Sequence, residues 1–240
     1  WCGDCEGLDT SETLANVLDD IQINEPCFNA LVVTGDIAQN GEPDAYRTFT
    51  RLLSNEGAPV YCLPGNHDNK IHLRQAIDGR VISMPRYIVE NEWLLLFLDT
   101  SKSGEVHGEI TAMQIEWTKA IITHYPNHHV ALFIHHHPVS VGSSWLDKDG
   151  LRNGEEVLDQ LRRLPQIKTI VCGHIHQNLD RQVHGIRILG TPSTCLQFTT
   201  DSAQISFAPL PPAYRRLAFH ADGRIETEVV FSHQPLLMSA

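Results

Sequence analysis

The sequence predicts an α/β protein, and three observations carry that prediction. Up to about residue 180, short apolar runs of strand length alternate with amphipathic segments of helical period. Four polar motifs each follow directly on an apolar run, where α/β sheets gather their functional loops. Beyond that point the helical period fades and strand-like runs separated by turns take over. The 240 residues are expected to form one domain with a β-rich C-terminal part at about 180–240.

The elements follow in order. Thr10-Ser11 is a capping signal for a helix whose apolar face is Leu14, Val17, Leu18 and Ile21. Ala30 to Val33 is a short strand ending at Gly35-Asp36. Pro43 opens a second helix with Tyr46, Phe49 and Leu53 inward and Gly57 just past its end. Val60 to Leu63 is a strand ending at Pro64-Gly65-Asn66-His67-Asp68, and Trp93 to Leu98 is another, ending at Asp99. Thr111 and Gln114 form a capping box for a helix running to about His124. Val130 to Ile134 is a strand running into His135-His136-His137-Pro138. Glu155 to Arg163 reads as helix, and Ile167 to Val171 as a strand ending at Cys172-Gly173-His174-Ile175-His176. Arg187 to Leu189, Tyr214 to Phe219 and Ile225 to Phe231 are strands of the tail.

The four motifs carry metal-binding chemistry. Gly35-Asp36 lets the chain turn and project a carboxylate, which can bridge two cations, although Gly-Asp alone is an ordinary turn. Asn66 offers a neutral amide oxygen, and His67 beside it suits protonation of a leaving oxygen; the bland alternative is an Asx turn with a solvated histidine. Three successive histidines cannot all face one site from a strand; His136 is the chosen ligand by its offset from Pro138, with His135 buried and His137 against the pocket. His174 and His176, one residue apart after a glycine, can serve two adjacent metals or chelate one. Together they make a mixed nitrogen and oxygen site without thiolate, which suits Mn²⁺, Fe²⁺/Fe³⁺ or Zn²⁺. Two such ions about 3.5–4 Å apart would orient a hydroxide and stabilise a departing oxygen.

Composition narrows the classes. The formal charge of −11 disfavours a nucleic-acid polymer as partner. It leaves open a small phosphate ester, since bound cations reverse the local sign. No apolar run is long enough to span a bilayer, and none reads as a signal peptide, so no membrane partner is expected. Six cysteines without a disulfide-like spacing suit a reducing cytoplasm. Trp1-Cys2-Gly3-Asp4-Cys5 superficially matches a redox motif, but it lacks a preceding strand, and Asp4 and Glu6 would raise a thiol pKa; a loop is expected there.

At these motifs, from Leu8 to about Val229, the chain resembles the calcineurin-like metallophosphoesterases. It is more narrowly similar to the bacterial class III 3′,5′-cyclic-nucleotide phosphodiesterases. Ser144-Trp145-Leu146-Asp147, Leu151-Arg152-Asn153 and Thr191-Pro192-Ser193-Thr194-Cys195 narrow the match. The resemblance implies a four-layer α-β-β-α sandwich of two mixed sheets flanked by helices. It implies two divalent metal ions bridged by Asp36, with Asn66, His136 and His174 on one and His176 on the other. His67 would be catalytic, and Asn66, His67 and His176 would contact the substrate, a cyclic nucleotide. The implied reaction is hydrolysis of 3′,5′-cyclic AMP to 5′-AMP. Another phosphate ester is the alternative substrate, and a homodimer is left open. The family's first motif, Asp-x-His at the end of the first strand, has no counterpart, since no histidine precedes His67. The expectation is that this strand lies upstream of Trp1; the alternative is a catalytically impaired metal-binding module.

Overall fold

The computed structural model describes residues 4–5, 7–77 and 79–233. A short ribbon of β1 (Asp4–Cys5) and β2 (Leu8–Asp9) leads into α1 (Thr10–Asn24). Then come β3 (Leu31–Val33), α2 (Pro43–Leu53), β4 (Val60–Cys62), α3 (Lys70–Ala76), β5 (Ile82–Ser83), β6 (Tyr87–Glu90) and β7 (Trp93–Phe97). The chain continues through α4 (Ala112–His124), β8 (His129–Ile134), α5 (Gly154–Leu161), β9 (Ile167–Cys172), β10 (Leu179–Val183) and β11 (Ile186–Gly190). It finishes with β12 (Gln197–Phe198), β13 (Phe207–Ala208), β14 (Ala213–Phe219) and β15 (Ile225–Phe231).

One mixed six-stranded sheet, in the order β10-β11-β9-β8-β7-β6, forms the centre. Its inner strands β7, β8, β9 and β11 are parallel, and both edge strands are antiparallel. Val130 to Ile134 is buried on both faces, which explains a continuous apolar run rather than an alternating one. One face packs against α4 and α5 through Ile115, Ile122, Val157 and Leu161. The other meets β3-β4-β5 and β14-β15 through Leu63, Phe97, Phe133, Val171 and Ile225. Outside the three-stranded sheet lie α1 and α2, whose Val17, Leu18, Ile21, Tyr46, Phe49 and Leu53 close a separate core. The order of layers is therefore helix, sheet, sheet, helix.

The second sheet layer differs from expectation. Instead of one mixed sheet it is a parallel three-stranded piece and an antiparallel two-stranded piece. Among the described residues, β3 pairs only with β4 and β14 only with β15. A cavity of about 710 Å³ borders both strands, walled by apolar side chains including Leu14, Val17, Val33, Phe133 and Leu217. Protein interiors tolerate few voids larger than a water molecule, so this one sets the region apart. Its lining includes Asp36, His135, His174 and His176.

Helix boundaries show small corrections. Asp9, not Thr10 or Ser11, caps α1 by accepting from the Ser11 and Glu12 amides. The capping box of Thr111 and Gln114 is present. The α5 helix begins one residue earlier than expected and ends two earlier, at Leu161. In the N-terminal motif, Trp1 to Gly3 lie outside the described residues, and Asp4–Cys5 is paired backbone rather than loop. Cys62, Cys172 and Cys195 are buried free thiols, whereas Cys27 is exposed.

Candidate metal centre

Strands β3, β4, β8 and β9 all end at the same edge of the two sheets, so four loops meet there. The loop after β3 carries Asp36 in a left-handed conformation, φ 54°. Such backbone is strained for a residue other than glycine. The loop after β4 touches it closely: a side chain at Gly65 would overlap the Asp36 carboxylate. The His67 amide donates to Asp36 Oδ1 at 3.1 Å.

Asp68 holds these two loops together. Its carboxylate accepts from the Ile37 and Ala38 amides, each at 3.0 Å, from Gly65 at 2.9 Å and from the Tyr46 hydroxyl at 3.1 Å. Burial pushes its carboxyl up, and the donating amides oppose that. The sequence motif contained Asp68 but gave it no task.

The three histidines after β8 separate by partner. His135 Nδ1 donates to Thr34 O at 2.7 Å, since a carbonyl only accepts. Its Nε2 then faces Asn66 Oδ1 at 3.1 Å, Asp36 Oδ2 at 3.2 Å and His174 Nδ1 at 3.2 Å. His136 Nε2 donates to Val106 O at 2.9 Å, and its Nδ1 accepts from the Thr100 hydroxyl at 2.7 Å. Ligand atoms of His135, His136 and His174 all lie within 4.8 Å of one another. Proximity alone would therefore admit His136. Its two nitrogens are already engaged, however, and a neutral imidazole has one lone pair to offer. His136 thus stands in the cluster with both nitrogens in contact with Thr100 and Val106, while His135 turns its Nε2 toward the other donor atoms. His137 is buried beneath His174, ring on ring at 5.7 Å and 18°.

His174 and His176 both adopt left-handed backbone, φ 64° and 48°. The His174 Nε2 is buried with no hydrogen-bond partner among the described residues. A buried polar atom of this kind calls for a ligand or an explanation. His176 lies flat against Phe198, with ring centroids 4.4 Å apart and planes 4° apart. His67 is half-buried, and its Nδ1 donates to Gln39 O at 2.8 Å.

The electrostatics match a cation site. Burial alone would raise the Asp36 carboxyl, but the His135 charge and hydrogen bond outweigh it and hold Asp36 well below the usual carboxylate range. Burial would lower His135, and Asp36 overrides that to raise it. Burial lowers His174 well below its ordinary value, pushes His136 down to about 2, and His137 and His176 down to about 4. His174 and His176 are thereby held neutral, as metal ligands must be, whereas His135, raised by Asp36, must release its Nε2 proton for a cation to bind there. Separations of 3.1–3.2 Å between donor atoms match neighbouring ligands of an ion bound at about 2.1 Å. The residues present fit a divalent ion among Asp36, Asn66, His135 and His174.

Asp36, Asn66, His67, His174 and His176 lie at one cavity edge or its adjoining loops, and His135, Asp68, Thr34 and Phe198, whose contacts the local motifs do not announce, pack among them. A signal for Phe198 could not have been read locally, because it is 22 positions from its partner His176.

A family model described as calcineurin-like phosphoesterase matches residues 1–178. The 3′,5′-cyclic adenosine monophosphate phosphodiesterase CpdA of Escherichia coli K12 is 38% identical over 224 residues, covering 93% of this chain and 82% of that protein. The Pseudomonas aeruginosa protein of the same name is 35% identical over 223 residues, with the same two coverages. A 3′,5′-cyclic-nucleotide phosphodiesterase of Nostoc is 31% identical over 93% of this chain and 84% of its own length. Among solved structures, a dimetal phosphatase from Danio rerio superposes with a TM-score of 0.61 at 14% identity, covering 92% of this chain and 89% of that one. That likeness concerns the fold.

Proposed function

The chain belongs to the calcineurin-like phosphoesterase family, and from that premise we propose that it hydrolyses 3′,5′-cyclic AMP to 5′-AMP with divalent metal ions. The observation that carries this reading is the convergence of Asp36, Asn66 and His174 on His135 Nε2 at 3.1–3.2 Å. The relatives at 35–38% identity, whose names specify cyclic AMP, support the substrate. In our reading Asp36, Asn66, His135 and His174 hold one ion, and Asp36 and His176 face a second. Mn²⁺, Fe²⁺/Fe³⁺ and Zn²⁺ all suit such nitrogen and oxygen donors. When bound, the ions supply positive charge to the phosphoryl oxygens and activate water for attack.

The chain's own residues do the rest. Asn66 and His176 orient the phosphate. The P–O3′ bond breaks as water adds to phosphorus, and a proton must reach O3′. His67 is the proposed donor. Its Nδ1 is committed to Gln39 O, so the transferable proton sits on Nε2. His67→Ala should slow turnover by roughly 10²–10⁴-fold with metal content nearly unchanged. Lost metal would make it a ligand instead. The substrate claim is tested with protein loaded with Mn²⁺: conversion of cyclic AMP to 5′-AMP supports it. Cyclic AMP left intact while other phosphate esters are cleaved would move it to another substrate.

The cavity between β3 and β14 supports a further proposal, that one more strand belongs there and brings an Asp-x-His end to the second ion. It would join the three- and two-stranded pieces into one sheet. Protein carrying such a strand should bind two ions per chain, and residues 1–240 alone should bind one. Two ions bound by residues 1–240 alone would remove the need for it.

A further inference from the structure

The segment Ser144-Trp145-Leu146-Asp147 is left without a task by the chemistry above, and its surroundings suggest one. His176 is stacked on Phe198 almost in parallel, at 4.4 Å and 4°. The Phe198 amide also donates to His176 O at 3.2 Å, so ring and backbone are both held. Phe198 is buried, with Trp145 against it edge-on at 4.9 Å and 89°. The Trp145 Nε1 is buried without a hydrogen-bond partner among the described residues. That costs stability and indicates that the indole is kept for its ring rather than its N–H. Neighbouring serines pin the same loop to the β12–β13 hairpin: Ser143 Oγ donates to Thr199 O at 3.4 Å, and the Ser202 amide donates to Ser143 Oγ at 3.3 Å. Phe198 therefore cannot turn without moving both segments.

We propose that Phe198, braced by Trp145, is the positioning residue that fixes the His176 imidazole plane for metal binding. This rests on the metal site proposed above. The torsion that turns an imidazole about its bond to the chain is broad and roughly two-fold. A flat ring packed face to face against it selects one plane and acts beside the hydrogen bond that His176 makes with the Leu196 backbone. The arrangement recurs at the other histidine of the motif. His137 stacks on His174, and Asp147 Oδ1 of the same segment lies 3.8 Å from His137 Nε2. One loop thus stands behind both histidines, with a flat ring in between each time.

The test compares F198L, which keeps apolar bulk but loses the planar face, with F198Y, which keeps the ring. F207L serves as a packing control, because Phe207 touches Phe198 at 5.8 Å but is not stacked on His176. Mn²⁺ affinity by calorimetry should fall about 10–100-fold in F198L and stay within about twofold of wild type in F198Y and F207L. In metal-free protein, the His176 ring-proton resonances should be shifted upfield by the phenyl face, retained in F198Y and lost in F198L. Equal Mn²⁺ affinity in F198L and wild type overturns the proposal, as does a matching loss in F207L. Wild-type protein that binds no Mn²⁺ overturns the metal-site reading and the positioning role with it. An unshifted His176 resonance in wild type removes the stack itself.

Discussion

Replacing Asp68 by asparagine changes one atom of the carboxylate that joins the Asp36 loop to the Asn66 loop. In the native protein Oδ1 accepts from Ile37 N, Ala38 N and the Tyr46 hydroxyl, and Oδ2 accepts from Gly65 N. If the amide oxygen of D68N keeps the first set, its NH₂ faces the Gly65 N–H, donor against donor. The flipped rotamer sets NH₂ against Ala38 N and the Tyr46 hydroxyl instead. Either way, at least one hydrogen bond to a charged group is lost, at about 1.5–3 kcal/mol, and a buried donor is left unpaired. The sum is roughly 2–4 kcal/mol. For a chain of this size that corresponds to a fall in Tm of roughly 4–16 °C. The displaced loops should also weaken Mn²⁺ binding by about tenfold or more, as loss of a supporting contact behind metal ligands generally does. Scanning calorimetry of metal-free protein gives the first quantity and Mn²⁺ titration the second. If D68N melts within about 1 °C of wild type, a shift too small for even half a kcal/mol, and binds Mn²⁺ equally well, the clamp does not exist.

Two other predictions follow from the histidines. His135→Ala should reduce Mn²⁺ affinity by more than about 100-fold, whereas His136→Ala should cost about tenfold by loosening the Thr100 and Val106 contacts, and calorimetric titration separates them; the reverse order would restore His136 as ligand. His136, His137 and His176 are held down to about 2, 4 and 4, below their unfolded value near 6.5, so the stability they contribute is full above about pH 6.5 and is lost as the pH falls. Between about pH 6 and 4.5 each takes up a proton on unfolding, and metal-free protein should lose about 1.4 kcal/mol per pH unit for each of them. His135 is shifted the other way and is protonated in both states across that window, so it does not offset the loss. Urea unfolding at several pH values checks this; stability rising toward pH 4.5 would contradict it.

Much of this architecture is legible in the sequence because its signals are local. Val130 to Ile134 is a continuous apolar run because that strand is covered on both faces, and the polar residues after it and after Ile167 to Val171 mark the strand ends. The α4 capping box could be read because Thr111 and Gln114 satisfy each other within one turn. The cap of α1 could not be placed to the residue, since Asp9, Thr10 and Ser11 are all competent caps and only the fold chooses among them. Strands of two residues such as β5, β12 and β13 are too short to show a period.

The choice between His135 and His136 turns on tertiary contacts. It is decided by Thr34 O on one side and by Thr100 and Val106 O on the other, 101, 36 and 30 positions away. An offset from Pro138 carries no information about those partners. The strand ends show which loops build the site, while contacts between loops determine which atom each residue presents.

The most direct measurement of the central claim is a crystal structure of the protein soaked in Mn²⁺, with the ion located by its anomalous scattering. The account predicts a peak about 2.0–2.3 Å from His135 Nε2, bounded by Asp36, Asn66 and His174, with His136 still bonded to Thr100. A peak on His136, or none near Asp36, would contradict it.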